Sequence, residues 1–362
     1  LTDRGSHYHR NVIYALWRYS ATAVHKLSYA NAAMQKCALT PSFAGGGTRR
    51  GCSPALRCRM DFEGLRVARR ALRSTLMACS TSKPEGDADI PYIKSRPYAG
   101  GSIPENYERF LVPLLFSPYA ADLAQRVDVP EDGTVLETAC GTGAATRWLA
   151  AHLPEDTSII STDIASAMVE EARKNLGDYS GIDYAEADAT KLPYPDNSFD
   201  AVVCQFSVML FPDKPAGMRE AARVLKPGGK FVFNIWDRLE RNGFSHAVHE
   251  AVAEIFPQDP PHFLETPYAY HDLSVVADAL QGAGFRQIDI TVLPKTSSAS
   301  DAAQVAMGLV AGSPLANEVD DRETPSLEEV TWQVRDALVQ RFGAGSISAP
   351  MQAFQIVAQM PA

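Results

Sequence analysis

A chain of 362 residues, 46% hydrophobic, is long enough for one large domain or two medium ones and apolar enough for a sizeable core. No apolar run reaches membrane-spanning length, so no membrane partner is expected. The formal net charge of −9 is unevenly placed, with 14 Lys/Arg against 3 Asp/Glu in residues 1–83 and 20 against 40 in the rest, and an acidic body argues against nucleic acid as a partner.

Residues 1–83 are rich in Arg, Ser and Ala and poor in acids. That composition fits a disordered or non-native extension upstream of Met60 or Met77, with an organelle-targeting segment as the alternative. Four cysteines (Cys37, Cys52, Cys58, Cys79) fall in this segment, and only Cys140 and Cys204 in the body. Without CxxC pairs or His/Cys ligand spacing, the pattern suits a reducing, cytoplasmic setting and no structural metal. Residues 84–103, "PEGDADIPYIKSRPYAGGSI", read as a Pro- and Gly-rich linker. The body is therefore expected over 104–362.

"PENYERFLVPLLFSPYAADLAQRV" predicts two short helices broken at Pro113 and Pro118. From Thr134 onward strands and helices alternate. The strands are "TVLET", "TSIISTD", "IDYAEAD", "FDAVVCQF" and "GKFVFNIW", and the helices span about 143–152, 165–175 and 214–224. Alternation of this kind predicts an α/β fold with a parallel sheet and helices on both faces. Two later strands, "FRQIDITVL" and "MQAFQIVAQ", flank about forty-five residues of helical pattern.

Four features fall at the carboxyl ends of strands, the edge where open α/β sheets bind ligands. In "VLETACGTGAATRWLA", Gly141 and Gly143 permit a tight turn and close approach of a ligand to a helix start. Glu137, four residues ahead of Gly141, suits a ligand with an ammonium group better than a pyrophosphate, which it would repel. Asp163 follows the second strand, where an acid can accept both hydroxyls of a ribose or cap the next helix. Met168 lies where an apolar side chain could cover a base or join the core. Asp188 and Ala189 end the third strand, placed to meet an adenine amine and ring nitrogen. Gln205 ends the fourth, near the amino-acid end of such a ligand. "VLKPGGKFVFNIW" places a Pro-Gly-Gly turn before the fifth strand.

Together "CGTG", "DIASAM", "DATKLPYPDNSFD" and "LKPGG", in that order, resemble the class I S-adenosylmethionine-dependent methyltransferases of small-molecule type. The resemblance covers about Tyr107 to the C-terminus. It implies a Rossmann-like seven-stranded sheet with its last strand antiparallel and a helical insertion between the last two strands. It implies S-adenosylmethionine as cofactor, with Glu137, Gly141 and Gly143 at its methionine end, Asp163 at the ribose, and Asp188 and Ala189 at adenine. Ala139 stands where family loops often carry glycine. Tyr107 and Phe110 match aromatic residues that cover the cofactor from the N-terminal helix.

Methyl transfer from a sulfonium needs alignment and exclusion of water, and a base only if the acceptor must lose a proton. His246, His249, His262 and His271 lie in the expected substrate cap, 238–272, with a second cap segment at 298–343. Each is a base candidate against the plainer reading of a surface histidine, and no catalytic residue is singled out. "FPQDPPHFLETPYAY" suggests an apolar wall and a small organic acceptor. Two other readings remain open: an NAD-dependent oxidoreductase, which wants a third glycine where Thr146 stands, and a non-catalytic cofactor-binding protein.

Overall fold

The computed structural model describes residues 103–362 apart from Asp178 and Glu323. The readings made of residues 1–83 and of the linker up to residue 102 lie outside the described residues. Among those described, no helix is long and apolar enough to cross a membrane, and no group of His, Cys, Asp and Glu could hold a metal ion.

Seven strands form one sheet: β1 (Thr134–Thr138), β2 (Ser158–Asp163), β3 (Ile182–Glu186), β4 (Phe199–Gln205), β5 (Leu225–Trp236), β6 (Gln287–Ala299) and β7 (Ile347–Gln359). Their order is β3-β2-β1-β4-β5-β7-β6. The first five are parallel, and β7 runs antiparallel to both β5 and β6. The order reverses between β1 and β4, so their carboxyl ends open a crevice, the usual ligand position in such sheets.

The α-helices of the described residues are α1 (Ile103–Asn106), α2 (Ser117–Ala124), α3 (Ala144–His152), α4 (Ser166–Leu176), α5 (Lys214–Val224), α6 (Gly243–Ile255), α7 (Leu273–Ala283), α8 (Ala302–Ala306), α9 (Leu315–Asp320) and α10 (Leu327–Phe342). One sheet face packs against α2 and α3 through Val135, Ile159, Val203, Leu123 and Leu149. The larger core on the other face holds Leu136, Phe231, Phe233 and the apolar sides of α5, α6, α7 and α10. The alternation of Val135 and Leu136 between these two cores is the period-2 signature of a strand buried on both faces.

Two expectations change. Pro113 breaks nothing: α1 runs into a π-helical segment, Tyr107–Phe116, and on into α2 without a gap. Pro113 is exposed within that segment, and the wider winding suits a residue that has no N–H to give to an α-helical ladder. Pro118 sits in the first turn of α2, where proline is tolerated. The Pro-Gly-Gly turn, likewise, is not a separate connection. Strand β5 already begins at Leu225, and Phe199 to Ala201 of β4 pair with Leu225 to Lys230, so the extra residues are carried as an irregularity inside the strand.

The insertion between β6 and β7 contains α8, a second π-helical segment (Met307–Ala311), α9 and α10. It crosses the first π-helical segment at close range. A Cβ at Gly308 would stand 3.3 Å from the carbonyl of Phe110, and one at Gly312 equally close to that of Asn106. Two glycines four apart thus let the backbones touch, which fixes both segments as one roof over the crevice.

Candidate functional site

Under this roof lies a cavity of about 400 Å³, within the range of small-ligand sites. Its floor is the loop after β1. Ala139, Gly141 and Gly143 all have positive φ, at 52°, 54° and 90°. Gly143 caps α3 at a φ that strains other residues, and a Cβ there would come within 2.5 Å of the end of the Leu176 side chain and push it aside.

Asp163 is 8% exposed at the end of β2. Its Oδ2 accepts the Gly141 N–H at 2.9 Å and its Oδ1 accepts the Ala165 N–H at 2.9 Å, which ties the two loops together. Burial raises its pKa, and these backbone donors pull the other way. Asp163 does not cap α4; Ala165 occupies that position without a side-chain bond. A carboxylate has about four acceptor sites, so two remain for a ligand. Asp188 is exposed, and its Oδ1 accepts the Thr190 hydroxyl at 2.7 Å and the Thr190 N–H at 2.8 Å, which lowers its pKa. Both acids line the cavity, with Met168 and Ala189 beside them.

Tyr107 closes the other side. Its ring stacks on Phe116 at 5.2 Å and faces Gly141. Its segment is fastened to the loop by Glu108, which accepts from the Thr142 hydroxyl at 2.5 Å and from Arg147 at 2.8 Å. Gln205 lines the cavity and donates its amide to the Phe116 carbonyl at 2.9 Å.

Residues 136–233, from β1 into β5, match the family described as Methyltransferase domain. That match, on a seven-stranded sheet of this order, supports a class I S-adenosylmethionine-dependent methyltransferase. The chain is 37% identical over 120 residues to a demethylmenaquinone methyltransferase of Bacillus licheniformis, covering 33% of this chain and 52% of that protein. It is 29% identical over 169 residues to the ubiquinone/menaquinone biosynthesis C-methyltransferase UbiE of Escherichia coli, covering 43% and 67%. The chain thus spans about half the length of the first relative and two thirds of the second. Similar solved structures include the YcgJ protein of Bacillus subtilis (TM-score 0.46, 19% identity, 68% of this chain and 99% of that one). Another is phosphoethanolamine N-methyltransferase 2 of Haemonchus contortus (TM-score 0.47, 15% identity, 75% and 60%).

Eight of the ten singled-out residues line one cavity: Tyr107, Ala139, Gly141, Asp163, Met168, Asp188, Ala189 and Gln205. Gly143 lies behind it as the packing residue described above. Glu137 does not reach it, which corrects the expectation of an acid facing a ligand. Glu137 and Val135 are two apart on β1 and so point to the same face, the one covered by α3. There Glu137 is 1% exposed, and its Oε2 accepts the Thr146 hydroxyl at 2.6 Å and the Ser161 hydroxyl at 2.8 Å. Burial pushes its pKa up to about 7 against these donors. Thr146, at the place of the missing third glycine, is thereby committed to holding Glu137. Phe110 also lies off the cavity, packed with Met307 and Ala311.

The cap histidines are turned away as well. His246 faces Glu250 at 3.6 Å, His249 and His262 face Glu265 at 3.7 and 3.5 Å, and His271 Nδ1 meets the Tyr268 carbonyl at 2.8 Å. None lines the cavity. Phe263, Leu264, Pro267 and Tyr268, from the segment with the aromatic and proline composition, do.

Sequence reasoning passed over Phe116, Trp236 and the ring of Phe206. Phe206 sits just past β4 at φ 56°, a rare conformation for a bulky residue that costs about 1–3 kcal/mol. Its ring stacks on Trp236 at 3.8 Å and 11°. The available signal was positional: both aromatics stand at the carboxyl ends of neighbouring strands.

Proposed function

We propose that this cavity binds S-adenosylmethionine and that the protein transfers its methyl group to a small-molecule acceptor. The observation that carries the reading is that one cavity joins two strand-end carboxylates and a glycine turn to an apolar chamber. When bound, the cofactor supplies an electrophilic methyl on a sulfonium. Asp163 keeps two acceptor positions for the ribose hydroxyls, and Asp188 keeps Oδ2 for the adenine amine. Met168 covers the nucleoside, and Tyr107, held by the Glu108 latch, shuts the methionine end from water. Glu137 acts one layer below, holding α3 to β1 and β2 so that the turn keeps its shape.

Phe206 and Trp236 line the same cavity as Gln205 and would form the wall against which an acceptor is held beside the bound cofactor. Holding the two in line while excluding water supplies much of the rate in such a transfer. The dinucleotide reading is disfavoured because no Lys or Arg among the described residues lines the cavity and two carboxylates would repel a pyrophosphate. The quinone-ring substrates named for the relatives fit an apolar chamber and are one acceptor class to assay. The deciding experiment is calorimetry with S-adenosylhomocysteine on the wild-type chain and Asp163→Ala. Loss of charge-assisted hydrogen bonds worth about 1.5–3 kcal/mol should weaken binding at least tenfold. Unchanged affinity would remove Asp163 from the site.

A further inference from the structure

We propose that the methyl acceptor is a neutral, ring-bearing molecule that attacks with its own electron pair and takes no help from a protein base. The proposal rests on the cofactor reading above and names the substrate class for the other half of the same cavity.

That half is walled by aromatic rings from four places in the chain. The stacked pair of Phe206 and Trp236 is joined by Phe116, whose centroid lies 5.7 Å from one and 6.2 Å from the other. Tyr268 stands 5.9 Å from Trp236, and Phe263 lies on the same short segment as Tyr268. Among the described residues no Lys, Arg or His lines any part of the cavity, and its only carboxylates are Asp163 and Asp188, at the nucleoside end.

Two hydroxyls that line the chamber are already committed. Tyr268 donates to Ser245 Oγ at 2.7 Å, and Ser313 donates to the Leu309 carbonyl at 2.7 Å. Burial also holds the Tyr268 phenol well above its ordinary pKa, so it stays protonated and cannot serve as a base.

A carboxylate or phosphate on the acceptor would lose its hydration here and find no protein cation. An ammonium would find no carboxylate in this half. Desolvating either charge without a partner is costly. A neutral acceptor avoids both penalties. Its electron pair, on a nitrogen or an electron-rich ring carbon, forms the new bond to the methyl carbon as the carbon–sulfur pair returns to sulfur. Sulfur becomes neutral and the acceptor gains one positive charge. Any proton on the attacked atom leaves to water afterwards. One positive charge is thus present before and after transfer, so the step creates no new net charge in the cavity.

The test uses the full chain saturated with S-adenosylhomocysteine at pH 8 and three probes of similar size: quinoline, 2-naphthoate and 2-naphthylmethylammonium. Calorimetry should show quinoline binding at least tenfold more tightly than either charged probe. Trp236→Leu should weaken quinoline at least tenfold and leave S-adenosylhomocysteine within twofold. If that variant does not fold, Phe263→Ala, on the half-buried part of the wall, makes the same comparison. Equal or tighter binding of a charged probe would overturn the proposal, as would absence of quinoline binding to a chain that binds S-adenosylhomocysteine. Failure to bind S-adenosylhomocysteine at all would instead refute the cofactor reading beneath it.

Discussion

Replacing Glu137 by Gln should change how stability depends on pH. The wild-type carboxyl is 1% exposed, and burial raises its pKa from 4.5 to about 7. Between those values the folded chain holds a proton that the unfolded chain has released. The contribution of Glu137 to stability is therefore full below pH 4.5, falls as pH rises, and levels out above about 7. The whole change is on the order of 3 kcal/mol, from the usual conversion of pKa into free energy. The amide in the Glu137→Gln variant cannot titrate. Its carbonyl can still accept from Thr146 and Ser161, so the fold should persist with a constant offset. Urea unfolding of both proteins at intervals from pH 4.5 to 8.5 gives the difference directly, because every other titrating group is shared. The mutant should gain about 3 kcal/mol on wild type across that range. Parallel stability curves would show that the carboxyl is ionised throughout and would refute the burial argument.

Ala139→Gly should raise stability by up to about 1 kcal/mol, because a left-handed alanine costs about 1–2 kcal/mol and glycine returns part of that as unfolded-chain entropy; a thermal melt of the two proteins checks it. Glu108→Ala removes the contacts to Thr142 and Arg147 without touching the cavity wall. It should weaken S-adenosylhomocysteine several-fold in calorimetry if the π-helical segment is a closure. Gly308→Leu drives a side chain into the Phe110 backbone and should cost about 1–3 kcal/mol, read as a lower urea midpoint.

Much of the frame was legible because its signals are local. Strand β1 has an apolar run, α5 has a Pro at its start and an Asp cap in Asp213, and the glycine turn stands between a strand and a helix. Asp163, Asp188 and Gln205 were legible for a geometric reason: parallel strands end at one edge, so residues far apart in the chain meet there. Glu137 was misjudged because its distance from the turn is visible in sequence, while the face it points to depends on the pleat. Pro113 was misjudged because propensity treats every helix as an α-helix, whereas the wider π winding accommodates a residue without an N–H. The aromatic chamber was only half visible. Phe263 and Tyr268 stood out by composition, but Phe116, Phe206 and Trp236 come together only when the roof, β4 and β5 are assembled.

Everything proposed for this crevice depends on its holding S-adenosylmethionine. A calorimetric competition of S-adenosylhomocysteine and NAD for the wild-type chain tests it most directly. One saturable S-adenosylhomocysteine site per chain, which millimolar NAD neither occupies nor displaces, is the expected result. An NAD site in its place, or S-adenosylhomocysteine binding that NAD abolishes, would contradict it.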